Sequence, residues 1–203
     1  MRRFLVWLVL LCAAGVAQAA PTKTMLVLGD SLSAAHNIAT EQGWVHLLEA
    51  RLSSMEPTWR VINASISGET SLSGRNRLPA LLEKYKPAVL VLELGANDGL
   101  RGLPLPALRE NLATMIDLAQ KSGARVLLLG IELPVNYGPQ YRDGLRAVYR
   151  ELSQQKRTAL VPFLLDGVAL DPSRMQDDGL HPTAAGEPGV LDNVWPSLQP
   201  LLR

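Results

Sequence analysis

Five short apolar runs, at 25–28, 61–66, 88–94, 126–133 and 160–165, recur along the chain with stretches of helical spacing between them. Each run has strand length, and several, such as Ala88-Val89-Leu90-Val91-Leu92, are continuous rather than alternating. Continuous apolar runs suit strands covered on both faces, the condition of a parallel sheet. The stretches at 44–55, 78–85, 105–121 and 141–157 carry helical periodicity; in the first, Trp44, Leu47, Leu48 and Leu52 share one face. A last helix is expected over 191–202, with Pro196 limiting its regularity. This alternation predicts one α/β domain of three layers around a doubly wound, five-stranded parallel sheet. Pro79 reads as a first-turn proline, and Gly186-Glu187-Pro188-Gly189 as a flexible start to the last helix.

The first 19 residues follow a different pattern. Arg2 and Arg3 precede an apolar run, and small residues end in Ala17-Gln18-Ala19, the layout of a secretory signal peptide. The apolar stretch 4–16 falls short of the roughly 20 residues a membrane-spanning helix needs. Cleavage is expected after Ala19, with Ala20 as the alternative, leaving a domain at 20–203. Loss of the leader removes Cys12, the single cysteine, so the exported chain must be held by its core rather than by disulfides. The expected location is the periplasm or the medium, without stable membrane insertion, and nothing in the sequence requires more than a monomer. With 20 Lys+Arg against 19 Asp+Glu, the chain has no field suited to phosphate backbones, and nucleic-acid partners are not expected.

Open parallel sheets bind ligands beyond the carboxyl ends of their strands. After the first run comes Gly29-Asp30-Ser31-Leu32-Ser33, after the second Ser67-Gly68-Glu69-Thr70, and after the third Gly95-Ala96-Asn97-Asp98-Gly99. Ser31, at a turn from strand into an expected helix, could act as a nucleophile; Ser31 or Ser33 could equally cap that helix. A serine nucleophile needs a base and an orienter for it. Of three histidines, His46 lies off the apolar face of its helix, and His36 is expected near the pocket rim without an orienting carboxylate in sequence. His181 stands three residues after Asp178 in a polar loop, close enough for one turn to carry both. An oxyanion would need donors already in place, and the candidates are the Ser31 and Gly68 amides and the Asn97 side chain. In strand order 2-1-3-4-5, strands two and three flank strand one, so Gly68 and Asn97 would converge on Ser31.

Gly29-Asp30-Ser31-Leu32, Gly68, Gly95-Ala96-Asn97-Asp98 and Asp178-Gly179-Leu180-His181 resemble, in order and separation, the four blocks of the SGNH (GDSL) hydrolases. That resemblance covers essentially the whole chain after the leader; Ala96 departs from it, standing where a second glycine is common. It implies a flavodoxin-like sheet, no cofactor, no metal, and hydrolysis of small-molecule acyl esters and thioesters, including fatty acyl, aryl ester and lysophospholipid substrates. By the same resemblance Ser31 would be the nucleophile, His181 the general base and then acid, and Asp178 its orienter. Ser31, Gly68 and Asn97 would bind the oxyanion, and Leu100, Leu133, Pro134 and Tyr137 would border the acyl groove.

Two other readings use the same residues or the same groove: a carbohydrate O-deacetylase and a non-catalytic acyl or lipid carrier. Metal-dependent hydrolysis finds no His-Glu-x-x-His, and nucleotide binding finds neither Gly-x-Gly-x-x-Gly nor Gly-x-x-x-x-Gly-Lys. The Gly-x-Ser-x-Gly elbow of ordinary α/β-hydrolases is also missing.

Overall fold

The computed structural model describes residues 22–55 and 57–203; the expected leader, its cleavage point and Cys12 lie outside the described residues. In chain order the elements are β1 (Lys23–Gly29), α1 (Trp44–Leu52), β2 (Trp59–Asn63), α2 (Ser71–Tyr85), β3 (Val89–Glu93), α3 (Ala96–Leu100), α4 (Leu105–Lys121), β4 (Arg125–Leu129), α5 (Pro139–Lys156), β5 (Ala159–Val161) and α6 (Glu187–Leu198). All strand pairs are parallel, in the order β2-β1-β3-β4-β5. Met25 lies beside Val61 on one side and Val89 on the other, and Leu127 lies between Val91 and Ala159. A parallel return needs a crossover, and the helices supply it on both faces. Helices α2, α4 and α5 pack as one layer and α1 and α6 as the other. The three-layer doubly wound sheet expected from the apolar runs is therefore the observed fold.

Coverage on both faces explains the run chemistry. Every residue of β3 is buried, as are Met25 to Leu28 of β1 and Val126 to Leu129 of β4. Each fully buried leucine or valine contributes about 1.5–3 kcal/mol relative to exposure. The edge strands β2 and β5 are only partly covered.

Four apolar runs extend past the ends of their strands, that of β3 by one residue. Strand β4 stops at Leu129 although the run continues to Leu133, and β5 stops at Val161 although its run continues to Leu165. Ile131, Leu133, Leu164 and Leu165 stay buried without pairing in the sheet. Strand β2 begins two residues early, at Trp59, and ends at Asn63.

Helix α2 begins at Ser71, seven residues before the predicted start, because Thr70 caps it by accepting from the Ser73 amide. Pro79 is consequently not in a first turn but inside the helix. Its ring faces solvent, where the carbonyl that loses its donor can be hydrated, while Leu78 and Leu82 anchor the opposite face. In α5 the first-turn proline is Pro139.

The segment expected to be a flexible start for the last helix is pinned. Helix α6 begins at Glu187, whose side chain is buried and accepts from the Trp44 amide at 2.8 Å, joining α6 to the start of α1. Among the described residues no helix is long and apolar enough to cross a membrane.

Candidate active site

Ser31 follows β1 in a chain of turns rather than in a helix. The Ala34 amide bonds back to the Asp30 carbonyl at 3.0 Å, but left-handed backbone at Ala35 (φ 55°) and Asn37 (φ 57°) breaks any continuation. Neither Ser31 nor Ser33 caps a helix, and the Ser33 hydroxyl donates instead to Glu93 Oε2 at 2.8 Å. The turn is held from outside: the Trp44 indole donates to the Leu32 carbonyl at 3.1 Å and Asn63 Nδ2 to the Ser33 carbonyl at 2.8 Å.

The loop before α6 brings His181 to Ser31. Met175 and Pro182 form an antiparallel bridge, the Gln176 amide donates to the His181 carbonyl at 2.8 Å, and the Asp178 carboxylate accepts from the Leu180 amide at 2.8 Å. The last is the local turn that aspartate favours. Asp178 Oδ2 lies 2.7 Å from His181 Nδ1, and His181 Nε2 lies 2.8 Å from Ser31 Oγ. Burial pushes the Asp178 pKa up, but hydrogen bonds from the His181 ring and from the Leu180 and His181 amides outweigh it and hold the value at about 2. An ionised carboxylate can only accept, so His181 Nδ1 must donate and Nε2 is left to accept from the Ser31 hydroxyl. Asp177, the neighbouring carboxylate, is exposed, and Asp178 is the one that reaches the ring.

The other histidines fall where the sequence puts them. His46 is exposed beside Glu49. His36 is half-buried at the rim, its ring centroid 4.4 Å from that of His181, its Nδ1 3.4 Å from Ser67 Oγ, and its carbonyl bonded to Gln176 Nε2.

Gly68 and Asn97 converge on the same place from the flanking strands. Gly68 adopts φ +81°, which disfavours any residue with a Cβ although the space there is open. Arg77 braces the turn by donating to both oxygens of buried Glu69 and to the Ala64 carbonyl. Asn97 is carried by α3, whose next residue, Asp98, accepts from the Ser71 amide and hydroxyl at 2.8 and 2.5 Å and ties α3 to the start of α2. Asn97 Nδ2 donates to Asp30 Oδ2 at 3.1 Å. Among the described residues the Ser31 and Gly68 amides bond to no other group.

From Ser31 a cleft of about 440 Å³, its open mouth included, runs beneath the ends of β3, β4 and β5. Leu100, Leu133 and Pro134 face it as expected. Tyr137 does not line it; its hydroxyl donates to the Leu100 carbonyl at 3.0 Å, so the ring braces the wall from behind. Beside Leu32, Ala96 and Glu132, the lining also includes Ile131, Phe163, Leu165 and Leu180. Sequence reasoning missed these four, although reading the residues after the fourth and fifth strands would have yielded three of them. Among the described residues no group of three His, Cys, Asp or Glu side chains is placed to hold a metal ion.

Comparison with known proteins identifies the family. The model of the GDSL-like Lipase/Acylhydrolase family matches residues 27–187. The chain is 54% identical over 185 residues to Esterase TesA of Pseudomonas aeruginosa, covering 91% of this chain and 92% of that one. It is 40% identical over 186 residues to Thioesterase 1/protease 1/lysophospholipase L1 of Escherichia coli K12, covering 92% and 88%. The crystal structure of TesA, at 54% identity, aligns with a TM-score of 0.87 over 89% of this chain and 100% of that one.

Proposed function

The chain belongs to the GDSL-like lipase/acylhydrolase family, the SGNH hydrolases, and from that premise we propose that it is a serine esterase acting on small-molecule acyl esters and thioesters through an acyl-enzyme on Ser31. The observation that carries the reading is the continuous chain Ser31 Oγ, His181 Nε2, His181 Nδ1, Asp178 Oδ2, with spacings of 2.8 and 2.7 Å, at the head of an apolar cleft. In the reaction Ser31 Oγ attacks the acyl carbonyl while His181 Nε2 takes its proton, and the ionised Asp178 stabilises the imidazolium. The developing oxyanion is held by the Ser31 and Gly68 amides and by Asn97 Nδ2, donors fixed before the reaction begins. His181 then protonates the leaving alcohol or thiol. Water attacks the acyl-enzyme with His181 as base, and the carboxylic acid leaves.

The acyl chain lies along Leu100, Ile131, Leu133, Phe163 and Leu165, a lining that favours fatty acyl chains over acetyl groups on sugars. The enzyme is exported behind residues 1–19 and works as a monomer in the periplasm or medium, with no nucleic-acid partner. These assignments rest on the leader pattern, the near-neutral charge and a site complete within one chain.

The test is a series of p-nitrophenyl esters from acetyl to palmitoyl, run on the protein and on Ser31→Ala, with and without a chelator. Serine-dependent, chelator-insensitive turnover that rises beyond acetyl is expected. An acetyl-only profile would favour a carbohydrate O-deacetylase, and no turnover from folded protein would favour an acyl carrier.

A further inference from the structure

Asp30 stands between the nucleophile and the oxyanion amide, yet the mechanism above gives it no step. It is 0% exposed. Its Oδ1 accepts from the Leu32 amide and its Oδ2 from Asn97 Nδ2, both at 3.1 Å. Both oxygens accept and neither donates among the described residues, the pattern of an ionised carboxylate. Asn97 has two amide hydrogens in one plane. With one taken by Asp30, the direction of the other is set, and an exchange of its oxygen and nitrogen ends would press a carbonyl oxygen against the carboxylate.

Resting on the acyl-transfer reading, we propose that Asp30 is the positioning residue of the oxyanion hole: its carboxylate holds the Asn97 side chain with an N–H toward the reacting carbonyl oxygen, and protonation of Asp30 releases that hold.

The surroundings place this switch within reach of working pH. Glu93 from β3, Asp98 from α3, Tyr149 from α5 and His181 from the loop before α6 are the charged or titratable groups facing Asp30. Burial lifts the Asp30 pKa to about 6, and the Asp98 charge adds to it, against lowering by the Leu32 amide, Asn97 and His181. Glu93, wholly buried beneath, is driven well above the carboxylate range, first by burial and then by the charge of Asp30. Its Oε2 accepts from the Asp30 amide and Ser33 hydroxyl while Oε1 is buried without a partner, an arrangement that disfavours a second charge. Of the two carboxyls, Asp30 is therefore the one that ionises.

The experiment measures kcat and KM against pH for a p-nitrophenyl ester, with wild type, Asp30→Asn, Asn97→Ala and the double variant. Asp30→Asn has one side-chain oxygen for two donors and should lower kcat by about 10- to 100-fold, below the roughly 10²–10³ expected for loss of an oxyanion donor, with KM within about threefold. In the Asn97→Ala background the same change should cost no more than about twofold. The ratio of wild-type to Asp30→Asn kcat should narrow as pH falls through about 6, where Asp30 itself loses its charge, and the same ratio in the Asn97→Ala background should stay flat. Wild-type kcat in Asp30→Asn, or an equal loss in both Asn97 backgrounds, would overturn the proposal. Should Asp30→Asn not fold, a ratio of wild-type to Asn97→Ala kcat that does not narrow as pH falls through about 6 overturns it as well. Failure of the esterase reading would look different, as absent turnover in wild type.

Discussion

The five strands end along one edge of the sheet but deliver two kinds of surface there. Beyond β1, β2 and β3 stand Ser31, Gly68 and Asn97, each fixed by backbone conformation or hydrogen bonds. Beyond β4 and β5 stand Ile131, Leu133, Phe163 and Leu165, whose apolar side chains meet the cleft by packing. The two halves therefore answer to different physics. Hydrogen-bonded donors are directional, so displacement changes the rate for every substrate, whereas an apolar wall is graded by area and changes the ranking of substrates.

That division can be broken from either side. Asp178→Asn should reduce kcat by up to about 10⁴, uniformly across acyl lengths, because the amide can no longer enforce the His181 tautomer. Asp177→Asn, on the exposed neighbour, should leave kcat near wild type; equal damage from both would move the orienting role away from Asp178. Next in size, Asn97→Ala should lower kcat by about 10² to 10³ for acetyl and octanoyl esters alike. A loss confined to long chains would place Asn97 in the wall rather than in the oxyanion hole.

On the apolar side, Phe163→Ala should reduce kcat/KM for the preferred chain by roughly tenfold or more while leaving the acetyl ester within about threefold. A uniform loss would mean that the wall supports the reacting groups.

The smallest effect lies outside both halves, at Glu187. Burial raises its pKa to about 7 from an ordinary 4.5, against the lowering hydrogen bond from Trp44. A carboxyl raised in the folded state binds its proton more tightly there than in the unfolded chain, so stability falls as pH rises from about 4.5 through 7. Glu187→Gln keeps an oxygen for the Trp44 amide without the buried charge. It should raise stability at pH 8 by about 1–3 kcal/mol, change little at pH 4.5, and leave both kcat and chain preference alone. Denaturant melts at the two pH values decide it.

Much of this was readable in the chain because apolar continuity reports burial on both faces, and strand ends in a parallel sheet report where a ligand sits. The two longest overshoots, past β4 and β5, have one cause. The runs continuing to Leu133 and Leu165 are apolar for the sake of the cleft and core, and hydropathy does not distinguish that from pairing in a strand. The missing helix after Ser31 turns on left-handed backbone at Ala35 and Asn37, of which Ala35 gives no signal in sequence. The early start of α2 depends on the Thr70 cap together with Asp98, 27 residues away in sequence, reaching the Ser71 amide. Asp30 stayed silent for the same reason, since its partners Asn97 and Glu93 are distant along the chain. Tyr137 shows the converse: proximity in sequence to a wall residue does not decide whether a ring lines the wall or braces it.

The central claim is that Ser31 carries the acyl group. The most direct measurement is to treat the protein with a p-nitrophenyl alkylphosphonate, quantify released p-nitrophenol, and map the modified peptide by mass spectrometry. One equivalent released, full loss of esterase activity and the adduct on Ser31 are predicted, with no labelling of Ser31→Ala. Esterase activity that survives stoichiometric labelling, or an adduct on another residue, would contradict the account.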